Sequence, residues 1–143
     1  PEFTITTKIE FHPDLPGEQS GLVIMGEEWA FLAFEKLENG TRIAMYKAVH
    51  NRCDPGTRLI EEVPTGNSSA YFRVEVEVGG LCTFSYSFDN QVFIPIGETF
   101  QAQPGKWIGA KIGLFCINPN MTESTGYADF DFFRFQEGRF IAH

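Results

Sequence analysis

Two aspartates near the end of the chain have a spacing that could hold a cation. Asp129 and Asp131 flank Phe130 in an alternating run, so on a strand both carboxylates project from one face. Carboxylates that close together can share a proton or a hard cation, and calcium suits such oxygen ligands. The sequence offers no third ligand beside them, which favours a solvated strand face. We therefore expect no catalytic metal, and a structural calcium ion is the one cofactor left open.

A second pair of carboxylates, Glu75 and Glu77, has the same spacing on another alternating run. Paired carboxylates are what the acid and base steps of glycoside cleavage require. Arg73 precedes the pair on the same side of the run, and no spaced cluster of acidic and aromatic residues accompanies it. A solvated face that is partly compensated by arginine is therefore the favoured interpretation. We assign no catalytic residue to this chain.

Two tryptophans could hold a sugar ring. Trp29 follows the carboxylates Glu27 and Glu28, and Trp107 opens an apolar run. Because the C–H face of a pyranose is apolar, an aromatic ring can stack against it, yet packing in a core is the more frequent use of tryptophan. Both residues are therefore weak candidates for substrate contact, and a core location is favoured for each.

The sequence gives little support for a zinc site, a serine nucleophile or a redox cysteine. The histidines are scattered without the spacing of a zinc site, and no serine stands in a nucleophile elbow. The three cysteines lack C-x-x-C spacing and cannot all pair with one another. Cys82 and Cys116 lie in apolar runs, so we expect both to be small core residues and not redox groups.

The composition excludes several classes of partner. Eleven basic against nineteen acidic residues give a net charge of −8, which disfavours nucleic acids and anionic membrane surfaces. No apolar run reaches the ~18 residues of a membrane span, so neither nucleic acid nor a membrane is an expected partner. With 43% apolar residues, residues 1–143 are expected to form one domain. The start at Pro1, without methionine, suggests a piece excised from a longer protein.

Alternation of apolar and polar residues predicts an all-β fold. It is clearest in the runs 3–11 and 72–78, where one face is apolar and the other polar. Turn residues separate about eight to eleven such runs, and no helical period appears. We therefore predict a two-sheet antiparallel β-sandwich, with an up-and-down barrel as the alternative.

Individual segments carry finer predictions. The run 106–116 has apolar residues on both sides, which predicts a central strand, and the run 127–135 predicts a strand with one wet face. The segment 51–69 is rich in turn residues and is predicted to be loop, apart from a short edge strand at Leu59 and Ile60. The predicted core consists of Ile5, Ile9, Val74, Val76, Phe84, Ile112, Phe130 and Phe132.

Four segments together resemble a known protein family. In one-letter code they are TTKIEF at 6–11, EQSGLVIMG at 18–26, GKWIGAKIGLF at 105–115 and GYADFDFF at 126–133. They are similar to the C-terminal concanavalin A-like β-sandwich domain of family 43 glycoside hydrolases, which are β-xylosidases and α-L-arabinofuranosidases. The similarity runs in order from about Thr4 to Phe135, and the last two segments are its most specific part.

The resemblance implies a jelly-roll sandwich that is one part of a larger enzyme. In that family the catalytic carboxylates lie on a separate propeller domain, which would be the partner of this chain in the same polypeptide. This chain alone would then be inactive. The substrates are polymer-derived, so a periplasmic or extracellular location in a bacterium is the implied setting.

The resemblance also implies one substrate contact. In some members an aromatic residue of the strand matching 107–115 helps to close the sugar pocket. Aligned on Gly109 and Gly113, that position is Lys111 here. A lysine cannot stack as an aromatic ring does, so the contact implied at Lys111 is a hydrogen bond to a sugar hydroxyl.

The expected function is that of an accessory, non-catalytic domain of a plant-polysaccharide-degrading glycosidase, which supports the catalytic propeller and its active site. A free-standing carbohydrate-binding module and an autonomous jelly-roll glycosidase are the alternatives. A binding module should retain affinity for xylo- or arabino-oligosaccharides when isolated, and an autonomous enzyme should hydrolyse an aryl glycoside. An accessory domain is expected to do neither.

Overall fold

The computed structural model of the protein describes residues 3–25, 29–49, 56–77, 80–101, 111–117 and 126–137. These ranges contain eleven β-strands and no helix, and accordingly no helix among them is long and apolar enough to cross a membrane. The strands are β1 Phe3–His12, β2 Gln19–Met25, β3 Trp29–Leu37, β4 Gly40–Val49, β5 Gly56–Thr65, β6 Ser69–Val76, β7 Leu81–Ser87, β8 Ile94–Pro95, β9 Phe100–Gln101, β10 Lys111–Ile117 and β11 Tyr127–Glu137.

The strands form two antiparallel sheets. Sheet 1 has the order β11–β1–β6–β7–β8, and the two-residue β9 pairs with the other end of β7. Sheet 2 has the order β10–β2–β3–β4–β5. The predicted two-sheet antiparallel β-sandwich is therefore confirmed, and the alternative of a single up-and-down barrel is wrong.

One apolar core fills the space between the sheets, because alternate residues of each strand point inward. Five predicted core residues are confirmed as buried: Ile5, Ile9, Val74, Val76 and Phe84. Phe130 is only half-buried and packs against this core, and the side chains of Ile112 and Phe132 lie outside the described part of the structure. Sheet 2 contributes, among others, Leu22, Ile24, Leu32, Phe34, Ile43 and Met45.

Phe34 of β3 joins the two sheets in this core. The centroid of its ring lies 5.5 Å from that of Phe11 and 5.2 Å from that of Phe72. Both partners belong to sheet 1, and all three rings are buried. Aromatic pairs at such distances add to the energy of burial, so the three rings hold the sheets face to face.

The strand β10 lies at the border of sheet 2 and not at a centre. Among the described residues it pairs with β2 alone, so the prediction of a central strand is wrong. Its sequence is apolar on both sides because Leu114 packs against the core, whereas Phe115 packs against a second apolar cluster outside it. β10 is therefore apolar on both faces because each face of sheet 2 carries an apolar cluster.

The two cysteines that the structure describes have opposite environments. Cys82 of β7 is buried as predicted, but Cys116 is exposed, so its predicted core location is wrong. Cys116 is the penultimate residue of the border strand β10, where no further described strand covers it. Partial burial, followed by the charge of Glu18, still raises the pKa of the Cys116 thiol.

The segment predicted to be mostly loop contains a long strand. β5 spans Gly56–Thr65 and pairs with β4, so the prediction was right about an edge strand near Leu59 but wrong about its length. Pro64 in this strand has no N–H for a ladder. Because β5 is the outermost strand of sheet 2, the proline is tolerated.

A β-bulge interrupts the alternation in β11. The register with β1 shifts so that Ile9 pairs with Phe130 whereas Lys8 pairs with Phe132. Asp131 is the extra residue between them. Because a bulge inserts one residue without a ladder partner, the strict alternation predicted through 127–135 does not hold.

Candidate functional site

The outer face of sheet 2 carries a second apolar cluster, which we call the outer cluster. It consists of Phe31, Ala33, Ala44 and Tyr46, with Val23 and Phe115 packed against it. Along β3, residues of the outer cluster alternate with core residues such as Leu32, so the strand has apolar side chains on both faces. The outer face of a sandwich sheet is usually polar, and an apolar one marks a candidate binding surface.

Aromatic rings extend across this face from strand to strand. The Phe31 ring is stacked with Trp29 at 5.7 Å and with Tyr46 at 4.8 Å between ring centroids, and it meets Phe115 edge-on at 5.3 Å. Phe31 is 6% exposed, whereas Trp29 is 37% exposed. Trp29 therefore presents the accessible aromatic surface of this stack.

A groove with a volume of 580 Å³ lies beside Trp29 on this face. Its walls are mostly apolar, from residues such as Phe31, Phe115 and Ile117, and Gln19 and Thr57 supply polar groups. None of the described residues that line it is charged, although the chain carries a net charge of −8. A groove of this size with few polar groups is typical of a small-molecule site.

A charged cluster lies beside the outer cluster, and its centre is Glu35. This carboxylate is buried and accepts hydrogen bonds from Nε of Arg42 at 2.6 Å and from the Tyr46 hydroxyl at 2.8 Å. Gln19 donates to the same carboxylate, and Arg42 also forms an ion pair with Glu62. A charge can remain buried when it is paired and hydrogen-bonded in this way.

The protonation states of this cluster follow from its geometry. Burial raises the pKa of Tyr46 to about 12, and the hydrogen bond to Glu35 acts in the same direction. Burial opposes the charge of Arg42, but its hydrogen bond to Glu35 and the charge of that carboxylate raise its pKa overall. Tyr46 is therefore a neutral hydrogen-bond donor to Glu35 at neutral pH.

The two aspartates that could hold calcium are both exposed on β11. Asp131 forms an ion pair with Lys8 of β1 at 3.4 Å, and this contact raises the pKa of Lys8. In the described ranges, no group of three or more His, Cys, Asp or Glu side chains is placed to hold a metal ion. The arrangement is that of a solvated strand face, and structural calcium at Asp129 and Asp131 stays a prediction.

Glu75 of β6 and Glu77, which follows directly after this strand, lie near a buried arginine. The guanidinium of Arg73 lies 3.6 Å from the ring centroid of Phe93, and its Nε donates to Thr6 at 3.0 Å. Burial lowers the pKa of Arg73, whereas the nearby charge of Glu75 acts in the opposite direction. Glu75 lines a depression of 140 Å³ together with Arg73, and Glu77 is not part of its lining. The predicted compensation by arginine is present, and the two carboxylates do not face each other across a site.

The structure describes two of the three predicted contact residues. Trp107 lies outside the described residues, and Lys111 is described by its backbone only. The backbone of Lys111 pairs with Met25, and Met25 pairs with Trp29. Lys111 and Trp29 thus occupy one cross-strand row at one end of sheet 2, about 10 Å apart at the usual strand spacing.

The cluster of Glu35, Arg42 and Tyr46 was not predicted from the sequence. The alternation in β3 places Glu35 on the same face as Phe31 and was therefore a usable signal. The pairing of Glu35 with Arg42 could not be predicted, because it depends on the register between β3 and β4.

Comparisons with known proteins agree with this architecture. The family model of the β-xylosidase C-terminal concanavalin A-like domain matches residues 1–136. A curated β-xylosidase from Formosa agariphila is 27% identical over 135 residues, which cover 92% of this chain and 21% of that protein.

Solved structures show the same fold. A bifunctional GH43-CE protein from Bacteroides eggerthii superposes with a TM-score of 0.83 at 22% identity, covering 97% of this chain and 18% of that chain. A xylan β-1,4-xylosidase from Bacillus halodurans C-125 gives a TM-score of 0.75 at 19% identity, covering 95% and 28%. The chain thus spans less than a third of each of these relatives.

Proposed function

Because the chain belongs to the family of concanavalin A-like C-terminal domains of β-xylosidases, we propose that it is the accessory domain of a glycosidase that acts on xylose- or arabinose-containing plant polysaccharides. Its partner is a catalytic propeller in the same polypeptide. The domain stabilises that propeller and helps to shape the active site, while the bond-breaking chemistry takes place on the propeller.

The observation that carries this proposal is the share of the relatives that the chain represents. It covers 21% of the curated β-xylosidase and 18% of the Bacteroides eggerthii protein, so most of each relative lies in other domains. Glycoside cleavage needs two carboxyl groups on opposite sides of the scissile bond. In the described part of this chain, Glu35 and Asp131 are paired with Arg42 and Lys8, and no carboxylate lines the groove beside Trp29.

Activity measurements on separate parts test the proposal. The isolated chain should hydrolyse aryl xylosides and aryl arabinosides no faster than buffer, because the acid and base of the reaction are on the other domain. Deletion of this domain from the full polypeptide should lower its melting temperature and raise KM or reduce kcat. The proposal would be contradicted if the isolated chain hydrolysed these substrates and if Glu75→Gln or Glu77→Gln abolished that activity. Such a result would favour an autonomous enzyme.

A contact between the two domains should also be visible. An inter-domain surface resembles a modest protein interface, apolar in its middle with a polar rim. Amide hydrogen exchange of the isolated chain and of the full polypeptide should therefore differ on one continuous surface. Exchange that is identical throughout would mean that the domain is only tethered.

The substitution Lys111→Ala tests the predicted substrate contact. One hydrogen bond to a sugar at the border of a site contributes about 1 kcal/mol, so kcat/KM of the full polypeptide should fall less than about tenfold. A much larger loss would give Lys111 a role in the reaction itself.

A carbohydrate-binding module is the second candidate, and one observation favours it. Trp29 is the accessible end of an aromatic stack and borders an uncharged groove, as an aromatic platform for a sugar would. Binding and an accessory role do not exclude each other, since a weak sugar site can lie on a domain that depends on another domain for catalysis.

A further inference from the structure

We propose that the groove beside Trp29 binds a short segment of a neutral polysaccharide, with the Trp29 ring stacked against one sugar. The choice of xylan as the polysaccharide rests on the proposed function. The existence and the chemistry of the groove do not, because they follow from the described residues of sheet 2.

The shape of the surface favours a small ligand over a broad protein contact. The rings that would make this face a flat apolar patch are already covered by the protein itself, with Phe31 at 6% and Tyr46 at 9% exposure. Of the described side chains that line the groove of 580 Å³, Trp29 is 37% exposed and Ile117 is 46% exposed. This volume lies within the range of ~300–1,000 Å³ that ligand sites occupy.

The aromatic geometry suits a sugar ring. Trp29 and Phe31 are nearly parallel, with 14° between their planes, so Phe31 supports one side of the indole and restricts its rotation. Aromatic faces carry negative charge density, and the axial hydrogens of a sugar present the opposite polarity. A supported indole that is partly exposed is therefore a preformed stacking platform.

The charges around the groove select for a neutral ligand. Its described lining has no charged side chain, and the nearby Glu35 is already compensated by Arg42. Among the described residues that line the groove, an anionic polysaccharide would meet no cation. It would also be repelled by a chain with a net charge of −8. Neutral pentose or hexose chains fit, and polyuronates do not.

Two polar side chains can bind sugar hydroxyls. Thr57 supplies a hydroxyl that donates and accepts. Gln19 donates its amide nitrogen to Glu35, which fixes the orientation of the amide and leaves its oxygen as the acceptor for a ligand. Glu35 thus acts on the groove through Gln19, as a positioning residue.

Calorimetry and NMR titration of this chain with xylohexaose test the inference. We expect saturable binding, with shifts of backbone amides that line the groove, such as Val23, Gly113 and Leu114. Trp29→Ala should weaken binding about tenfold, because the lost aromatic contact removes about 1.4 kcal/mol of binding free energy. Thr57→Val, which keeps the side-chain shape, should weaken it by a smaller factor.

Leu37→Ala is the matched control. Leu37 lies on the same strand as Trp29 and is equally exposed at 37%, but it does not line the groove. It should leave binding unchanged. The hexamer of galacturonate is the matched ligand control and should not bind.

Each other outcome overturns the inference. Binding that Trp29→Ala and Thr57→Val leave unchanged would place the sugar elsewhere, and equal binding of polygalacturonate would refute selection for a neutral chain. Absence of binding by the folded wild type at millimolar xylohexaose would refute the groove. If the full polypeptide protects the groove amides from exchange and xylohexaose no longer shifts them, the groove is an inter-domain contact. The proposed accessory function survives all four results, because it is tested separately, by the activity of the isolated chain and by deletion of the domain from the full polypeptide.

Discussion

Glu35 shows what a carboxylate requires in order to stay charged on an apolar sheet face. Removing it from water costs on the order of several kcal/mol unless hydrogen bonds replace the lost hydration. Arg42, Tyr46 and Gln19 supply those bonds. Loss of any one of these hydrogen bonds should therefore lower the free energy of unfolding, because the buried carboxylate would be left with one donor fewer.

The Tyr46→Phe variant tests the network around Glu35. Loss of the hydroxyl should lower the free energy of unfolding by about 1–3 kcal/mol at neutral pH, because Glu35 loses a donor in a buried place. Urea unfolding of wild type and variant measures this difference.

The same pair of proteins gives a pH dependence with a defined sign. Folding raises the pKa of Tyr46 to about 12, above the value of ~10 in an unfolded chain. The stabilisation from the neutral hydroxyl is therefore complete below pH ~10 and is lost as the pH rises through the folded pKa. The stability difference between wild type and Tyr46→Phe should shrink between about pH 10 and pH 12. A constant difference would mean that the hydroxyl titrates normally.

Removal of divalent cations tests the calcium prediction at Asp129 and Asp131. Because Asp131 is already paired with Lys8, we expect the melting temperature to be the same with and without excess chelator. A ligand that binds only the folded state stabilises by mass action. A drop in melting temperature that added calcium restores would therefore assign a calcium ion to the chain.

Residue types and spacing predicted some side-chain environments and not others. The sequence favoured a core location for Trp29, and this prediction was wrong, because the side chain is 37% exposed and stacks on Phe31 at the outer face of sheet 2. Alternation placed Glu35 on the same face as Phe31, but it did not predict that Glu35 is buried, because a carboxylate in an alternating run is normally solvated. Its environment depends on residues from other strands.

At the scale of elements, β2 approaches β3 closely at Gly21. A Cβ atom at this position would lie 1.9 Å from the backbone oxygen of Leu32 and 2.7 Å from Cα of Ala33. Backbone atoms in the middle of a sheet cannot move aside as the end of a flexible side chain can. The pairing of these strands therefore requires glycine at this position.

Gly21→Ala should destabilise the protein strongly, by about 3 kcal/mol or more if β2 must shift. Gly113→Ala on the neighbouring β10 is the matched control, because its Cβ would meet only Cγ1 of Val23 at 3.9 Å, an ordinary contact. Urea unfolding should separate the two variants clearly. Equal effects would show that β2 has room to adjust.

The strands themselves were largely predictable, but their positions in the sheets were not. Alternation revealed β1, β6 and β7 because each has one core face and one polar face. It misplaced β10, since the outer cluster makes a border strand look like a central one. The composition of β5 indicated loop because turn-forming residues are tolerated in an edge strand.

At the scale of the whole molecule, the sandwich depends on contacts between sheets that are distant in sequence. Phe34 of sheet 2 meets Phe11 and Phe72 of sheet 1, and these contacts close only when both sheets are assembled. The alternation predicted two layers, but which residues face each other across the core depends on the packing of the sheets.

Phe34→Ala tests whether this contact holds the molecule together. The side chain is fully buried, so its truncation should cost about 3–5 kcal/mol through lost burial and the cavity left behind. Thermal unfolding should remain one transition at a lower temperature, because one core serves both sheets. Phe88→Ala, at a position 42% exposed, is the control and should change stability little. Two separate transitions for Phe34→Ala would mean that the sheets unfold independently.

The position of β5 at the border of sheet 2 has a consequence for the behaviour of the protein at high concentration. A border strand offers a row of backbone donors and acceptors on which a second molecule could extend the sheet into an oligomer or a fibre. β5 interrupts that row at Pro64, and it carries charged side chains at Arg58, Glu61 and Glu62. The features that made this segment resemble a loop in the sequence thus act as gatekeepers against self-association.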